Sequence, residues 1–188
     1  MAPVLSRRLM QTYGSLVGVL ADPEGKALKT ELPDAVRERL QYLGSMLGSA
    51  WQHEVQSAPV FANSQTLIRY LHFGMAALKR EHFRVLFLDA ANRLLLDEVM
   101  WQGSVNRVQV HPREVVRLAL ETQASALILA HNHPAGQSGP SAHDIQLTQQ
   151  IIAACNLLDI IVHDHLIVTR QDVFSMRREH SLMFAPKR

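Results

Sequence analysis

His131-Asn132-His133-Pro134, followed by Ser141 and Asp144, is the stretch on which the reading of this chain turns. In extended backbone, residues two apart project to the same side, so the two imidazoles can meet at one point. A carboxylate from Asp144 completes a three-ligand set for a divalent cation. Zinc held by three side chains keeps its fourth tetrahedral position for water, the arrangement of a catalytic rather than a structural site. The residues alone therefore read as a metal-dependent hydrolase, with His131, His133 and Asp144 as ligands and Zn2+ as the expected cofactor.

The chain between these residues has suitable contents. Pro134, Gly136, Gly139 and Pro140 form turns and loops, so the backbone can leave a strand and double back. Ser141 reads as a helix N-cap. Apolar residues at Ile145, Ile151, Ile152, Cys155 and Leu158 predict a helix over 142–158, with Asp144 in its first turn. A plainer explanation is open: Ser141 and Asp144 stand three apart and could form a capping box that binds no metal. The two histidines could equally be surface residues at a loop entrance. Spacing and loop chemistry together weigh against both.

Outward from the motif, 126–130 predicts a short buried strand that delivers the histidines at its C-terminal end. The nearly continuous apolar run 83–88 predicts a strand covered on both faces, followed by a turn at 90–93 and a returning strand over 94–101. Alternating valines predict a half-buried strand over 105–110. His111-Pro112 then opens a helix ending near Thr122, and 160–168 supplies one more strand. Residues 57–63 read as a linker, after which Ser64 caps a helix reaching 78 or 79. The tail from Ser175 shows a weak helical pattern. Nearer the N-terminus, 4–21 reads as a helix or helix pair, 22–34 as a polar turn region and 35–51 as a second helix. The sum is an α/β (α+β) chain, a mixed sheet flanked by helices. A helical region at 1–56 precedes the metal-binding domain at 61–183.

With 47% hydrophobic and 19% charged residues, the chain can build a core. A net charge of +2 is too small to argue nucleic-acid binding, which needs a basic stripe. The lone Cys155 has no disulfide partner and reads as a buried thiol. No stretch has the length of a membrane span. Arg7, Arg8 and Gln11 interrupt any secretory signal, so a cytoplasmic location is expected.

His-x-His-Pro followed by Ser and Asp at this spacing resembles the JAMM motif of MPN-domain metallopeptidases. More narrowly, the run 129–136, then Pro140-Ser141, Asp144-Ile145 and Asp164-His165, is similar to the RadC family of bacterial proteins. The segments 80–89, 92–94 and 110–115 fall in that family's order, and the resemblance covers about 60–183. It implies an MPN (JAMM) fold and zinc-dependent cleavage of peptide or isopeptide bonds in a protein or peptide substrate. By this resemblance Glu81 matches the glutamate that serves as general base, with Glu98 and Glu114 as alternatives. Ser141 matches the serine that stabilises the oxyanion. The family's historical DNA-repair label leaves a DNA-metabolism role as a second hypothesis, and a metal-binding scaffold without catalysis as a third. The RadC N-terminal region usually carries a helix-hairpin-helix whose Gly-x-Gly binds phosphate. Here the Gly-x-Gly is missing and cations merely balance anions over the first sixty residues, which disfavours DNA. A truncated helical cap or a homodimer contact is the better expectation.

Three other readings fail on residue types. His-Asn-His is a tripeptide, whereas the HNH nucleases are named for dispersed residues. Zinc deaminases need Pro-Cys-x-x-Cys, and this chain has one cysteine. His53-Glu54 lacks the second histidine of the helical zinc-protease motif, because position 57 is Ser57. Asn132 is expected to point away from its neighbours as a loop-stabilising amide. Strict alternation places His163 and His165 on one sheet face and Asp164 on the other, with at most one of them orienting a ligand. The histidines at 53, 72, 82, 111, 143 and 180 read as structural.

Overall fold

The computed structural model of the chain describes residues 2–22, 26–62, 64–103, 110–137 and 139–185. Its centre is a strand, β3 (Ala126–Asn132), in which every residue is buried. Such a strand must be covered on both faces and flanked on both edges, and it is. The sheet has five strands in the order β2-β1-β3-β4-β5, with β1 at Glu81–Leu88, β2 at Leu94–Gly103, β4 at Ile161–Val168 and β5 at Val173–Ser175. β1 is antiparallel to both β2 and β3; β3 and β4 run parallel; β5 returns antiparallel along β4. The mixed sheet matches the sequence expectation.

Helices close both faces. α6 (Pro112–Glu121) and α7 (Ala142–Asn156) bring Val115, Ala119, Leu147, Ile151 and Cys155 onto Phe83, Val85, Leu127 and Leu129. On the opposite face, α5 (Ser64–Met75) lays Leu67, Leu71 and Met75 on Leu86, Leu88, Ile128 and Ala130. Val55, from the end of α4 (Asp34–Ser57), joins that second cluster. Burying one such side chain contributes roughly 1.5–3 kcal/mol. Cys155 is the expected buried thiol, and burial pushes its pKa up to about 11.

Ahead of α4 lie α1 (Ala2–Tyr13), α2 (Leu16–Ala21) and α3 (Lys26–Glu31). α3 corrects the expected turn over 22–34: its fully buried Leu28 gives that polar stretch an apolar anchor. α4 also runs past 51, because Val55 extends its buried face. Conversely, α5 stops at Met75, short of 78. The strand expected over 105–110 falls outside the described residues except at Val110, which is not in a strand. After β5 come α8 (Met176–Glu179) and a 3-10 turn (Ser181–Phe184), whose Met176 and Phe184 close the core beside α7. No helix among the described residues is long and apolar enough to cross a membrane.

Candidate metal centre

The parallel pair β3–β4 is joined through α7, so the end of β3 and the start of α7 meet at one rim of the sheet. Open α/β sheets bind ligands at the carboxyl ends of such strands. His131 is the penultimate residue of β3, and His133 lies one step past its end. A turn follows, in which the Gly136 amide donates to the His133 carbonyl at 3.0 Å. Gly136 has φ +85, a conformation that side-chain-bearing residues rarely adopt. Ser141 then caps α7 and places Asp144 in its first turn.

Three side chains converge there. The two histidine Nε2 atoms lie 2.8 Å apart. Asp144 Oδ1 lies 3.4 Å from His131 Nε2, and Oδ2 lies 3.5 Å from His133 Nε2. The set falls within 4.8 Å and could hold a metal ion. Side-chain exposure is 2% for His131, 7% for Asp144 and 11% for His133, so what solvent access exists is mainly at His133.

The capping box is present as well. The Ser141 amide and hydroxyl both donate to Asp144 Oδ2, at 2.7 and 2.6 Å, while the Asp144 amide donates to Ser141 Oγ at 3.2 Å. Cap and metal cluster are therefore not alternatives: Oδ2 serves the helix, and Oδ1 makes no cap bond. Burial alone would raise the Asp144 carboxyl, but the neighbouring His131 and His133 rings and the Ser141 hydroxyl outweigh it and hold the group well below the usual carboxylate range. His133 Nδ1 lies 2.9 Å from the Gln137 carbonyl, an acceptor, so that nitrogen carries a hydrogen and Nε2 faces the cluster. Burial lowers the His133 pKa, but the bonds to Asp144 and Gln137, with the charge of Glu81, turn the net shift upward. An ionised carboxylate beside an available imidazole lone pair is a donor set that fits a cation.

Glu81 reaches this rim through sheet register. Phe83 on β1 is opposite His131 on β3, so Glu81, two residues earlier, shares its face at the site end. Phe83 stacks on the His131 ring, with centroids 6.3 Å apart. Asn132 does more than stabilise a loop. Buried and pointing away from the metal cluster, its Oδ1 accepts from the His82 amide at 2.8 Å, and its Nδ2 donates to the Arg80 carbonyl at 3.1 Å. The residue between the two histidines thus pins the segment that carries Glu81.

A family model described as the RadC-like JAB domain matches residues 61–182, the stretch that contains the sheet and this cluster. The chain belongs to that family. It is 42% identical to a UPF0758 protein of Rhodobacter capsulatus over 93% of this chain and 82% of that one. It is 45% identical to the UPF0758 protein YkfG of Escherichia coli (strain K12) over 70% of this chain and 83% of that one. The expected JAB/MPN-type fold is the fold observed.

The other candidates of the JAB domain fall elsewhere. Glu98 is exposed on β2 opposite Val85, away from the metal end of the ladder. Glu114 pairs with Arg117 at 3.0 Å near the start of α6, where its charge suits the helix dipole. His163 and His165 do not share a face, contrary to strict alternation. A register shift between Leu127 and Ile128 inserts His163 as an extra residue of β4. His163 turns to Asn92, at 2.7 Å, and to Phe61. His165, fully buried, turns to His131 instead, its Nε2 2.8 Å from His131 Nδ1. Burial holds the His165 ring well below the ordinary imidazole range, and it is neutral. Asp164 caps the C-terminal segment, accepting from Ser175 Oγ at 2.6 Å and from the Arg177 amide at 2.9 Å.

Proposed function

We propose that this JAB domain is a zinc-dependent hydrolase that cleaves peptide or isopeptide bonds. The convergence of His131, His133 and Asp144 on one point carries the reading. Tetrahedral zinc with bonds of about 2.0–2.1 Å separates its ligand atoms by about 3.3 Å, and the separations of 2.8 Å between the ring nitrogens and 3.4 Å from His131 Nε2 to Asp144 Oδ1 bracket that value. When bound, zinc would polarise the scissile carbonyl and make water a stronger acid.

The remaining work belongs to the protein. Glu81, on the site face of β1, accepts the proton of the attacking water and returns it to the leaving amine. Ser141 offers its hydroxyl to the developing oxyanion, releasing Asp144 Oδ2 to do so; the Ser141 amide keeps the carboxylate oriented meanwhile. Asn132 holds Glu81 at the height of the metal ligands.

The test joins zinc content with cleavage of a linear peptide and of a lysine-isopeptide conjugate. Glu81→Gln keeps equimolar zinc and loses roughly 100- to 10,000-fold in turnover. Full activity in that variant removes Glu81 from the mechanism, and failure of the wild-type protein to bind zinc at neutral pH removes the hydrolase reading altogether.

A further inference from the structure

Resting on the metal-site reading above, we propose that Thr148 and His165 act as a positioning relay that fixes the tautomer of His131. The relay begins at a group that cannot change its sense, the backbone carbonyl of Asp144. Thr148 Oγ1 lies 2.6 Å from that carbonyl oxygen and 2.6 Å from His165 Nδ1. A hydroxyl has one hydrogen and a carbonyl none. If Thr148 gave its hydrogen to His165, two acceptor oxygens would face each other at 2.6 Å in a fully buried position, a costly arrangement. Thr148 therefore donates to the carbonyl and accepts from His165 Nδ1–H.

The direction then propagates. A neutral imidazole carries one N–H, so His165 Nε2 is a lone pair. It accepts from His131 Nδ1, 2.8 Å away, which makes that nitrogen the N–H. His131 Nε2 is left as a lone pair aimed at His133 and Asp144. Phe83 keeps the geometry, stacked on His131 and edge-on to His165 with centroids 5.4 Å apart. The alternative contact of Thr148, Met176 Sδ at 3.8 Å, is too long to compete. The chain of bonds is closed: it starts on the backbone of one ligand, Asp144, and ends on the ring of another, His131.

Two measurements test this. In metal-free wild-type protein, 15N imidazole shifts should report both His131 and His165 as Nδ1–H tautomers. Thr148→Val keeps the shape but cannot accept, so His165 and His131 lose their fixed sense and zinc affinity, read by chelator competition, falls roughly 10- to 100-fold. Thr148→Ser restores it. An Nε2–H tautomer at His131 in the wild type overturns the relay, whether or not Thr148→Val folds. So does wild-type zinc affinity in a folded Thr148→Val. A wild-type protein that binds no zinc yet shows both Nδ1–H tautomers defeats the hydrolase reading and leaves the relay standing.

Discussion

Two buried polar clusters lie on opposite faces of the same sheet, and only one is complete. On the α5 face, Arg84 donates through Nε to Asp97 Oδ1 at 3.0 Å and through Nη2 to Oδ2, while the Tyr70 hydroxyl donates to Oδ2 at 2.7 Å. Each charge there has its opposite. Burial, then the neighbouring Asp97 charge, pushes the Tyr70 phenol up to about 12, so it stays a donor. On the α7 face, Ser141 serves Asp144 Oδ2, but Oδ1 and two imidazole nitrogens converge and, among the described residues, no Arg or Lys pairs with them. Burial and perturbed ionisation are common to both, and do not distinguish scaffold from site. The distinguishing property is a carboxylate with no Arg or Lys to balance it among the described residues.

Substitutions in the two clusters should therefore fail differently. His133→Ala has the largest effect: zinc content drops from equimolar to background and hydrolysis goes with it, while the denaturation midpoint of metal-free protein moves little. If that variant keeps its zinc, the ligand set is wrong. Arg84→Met leaves Asp97 buried against Tyr70 alone and costs roughly 3–5 kcal/mol by urea titration, with zinc stoichiometry intact. Loss of zinc in a folded Arg84→Met would mean that the clusters are not independent. Ser141→Ala slows turnover by about 3 kcal/mol in activation free energy and removes a cap worth about 1 kcal/mol of stability. Zinc retention separates these effects from damage to Asp144.

The smallest effect is a pH dependence confined to the incomplete cluster. His133 has a raised pKa in the folded chain. Its contribution to stability is fully present below the unfolded value of about 6.5 and is lost as pH rises through the folded value. His163 and His165, whose rings are held low in the folded chain, act in the opposite sense, so the effect is read as the melting temperature of metal-free wild type minus that of His133→Ala, a difference that should be smaller at pH 8 than at pH 6. Saturating zinc at pH 8 offsets that loss, because the cation takes the proton's place. A difference that grows over this interval contradicts the assignment.

How much of this was legible in the chain follows from the range of each interaction. His131, His133 and Asp144 are close in sequence, and one turn and one helix start decide their meeting, so residue types alone reveal them. Glu81 needed the family resemblance, since its place depends on β1 pairing antiparallel with β3. His165 was visible as a histidine but not as the partner of His131. The extra residue His163 breaks the two-residue alternation, and only the ladder reveals it. Thr148 carried no signal: it stands four residues after Asp144, where any helix residue would pass unnoticed. β5 is three residues long, too short for a periodicity to register.

The division of the Asp144 carboxylate has a consequence for which cations the pocket would accept. With Oδ2 tied to Ser141, a single oxygen is left to reach outward, beside two nitrogens. Calcium surrounds itself with roughly six to eight oxygens, often taking both from one carboxylate, and magnesium demands a near-octahedral oxygen shell. Neither finds such a shell here. On the proposed metal reading, a helix cap would thus act as a filter on ion chemistry, turning away the abundant hard cations in favour of borderline metals at home with nitrogen.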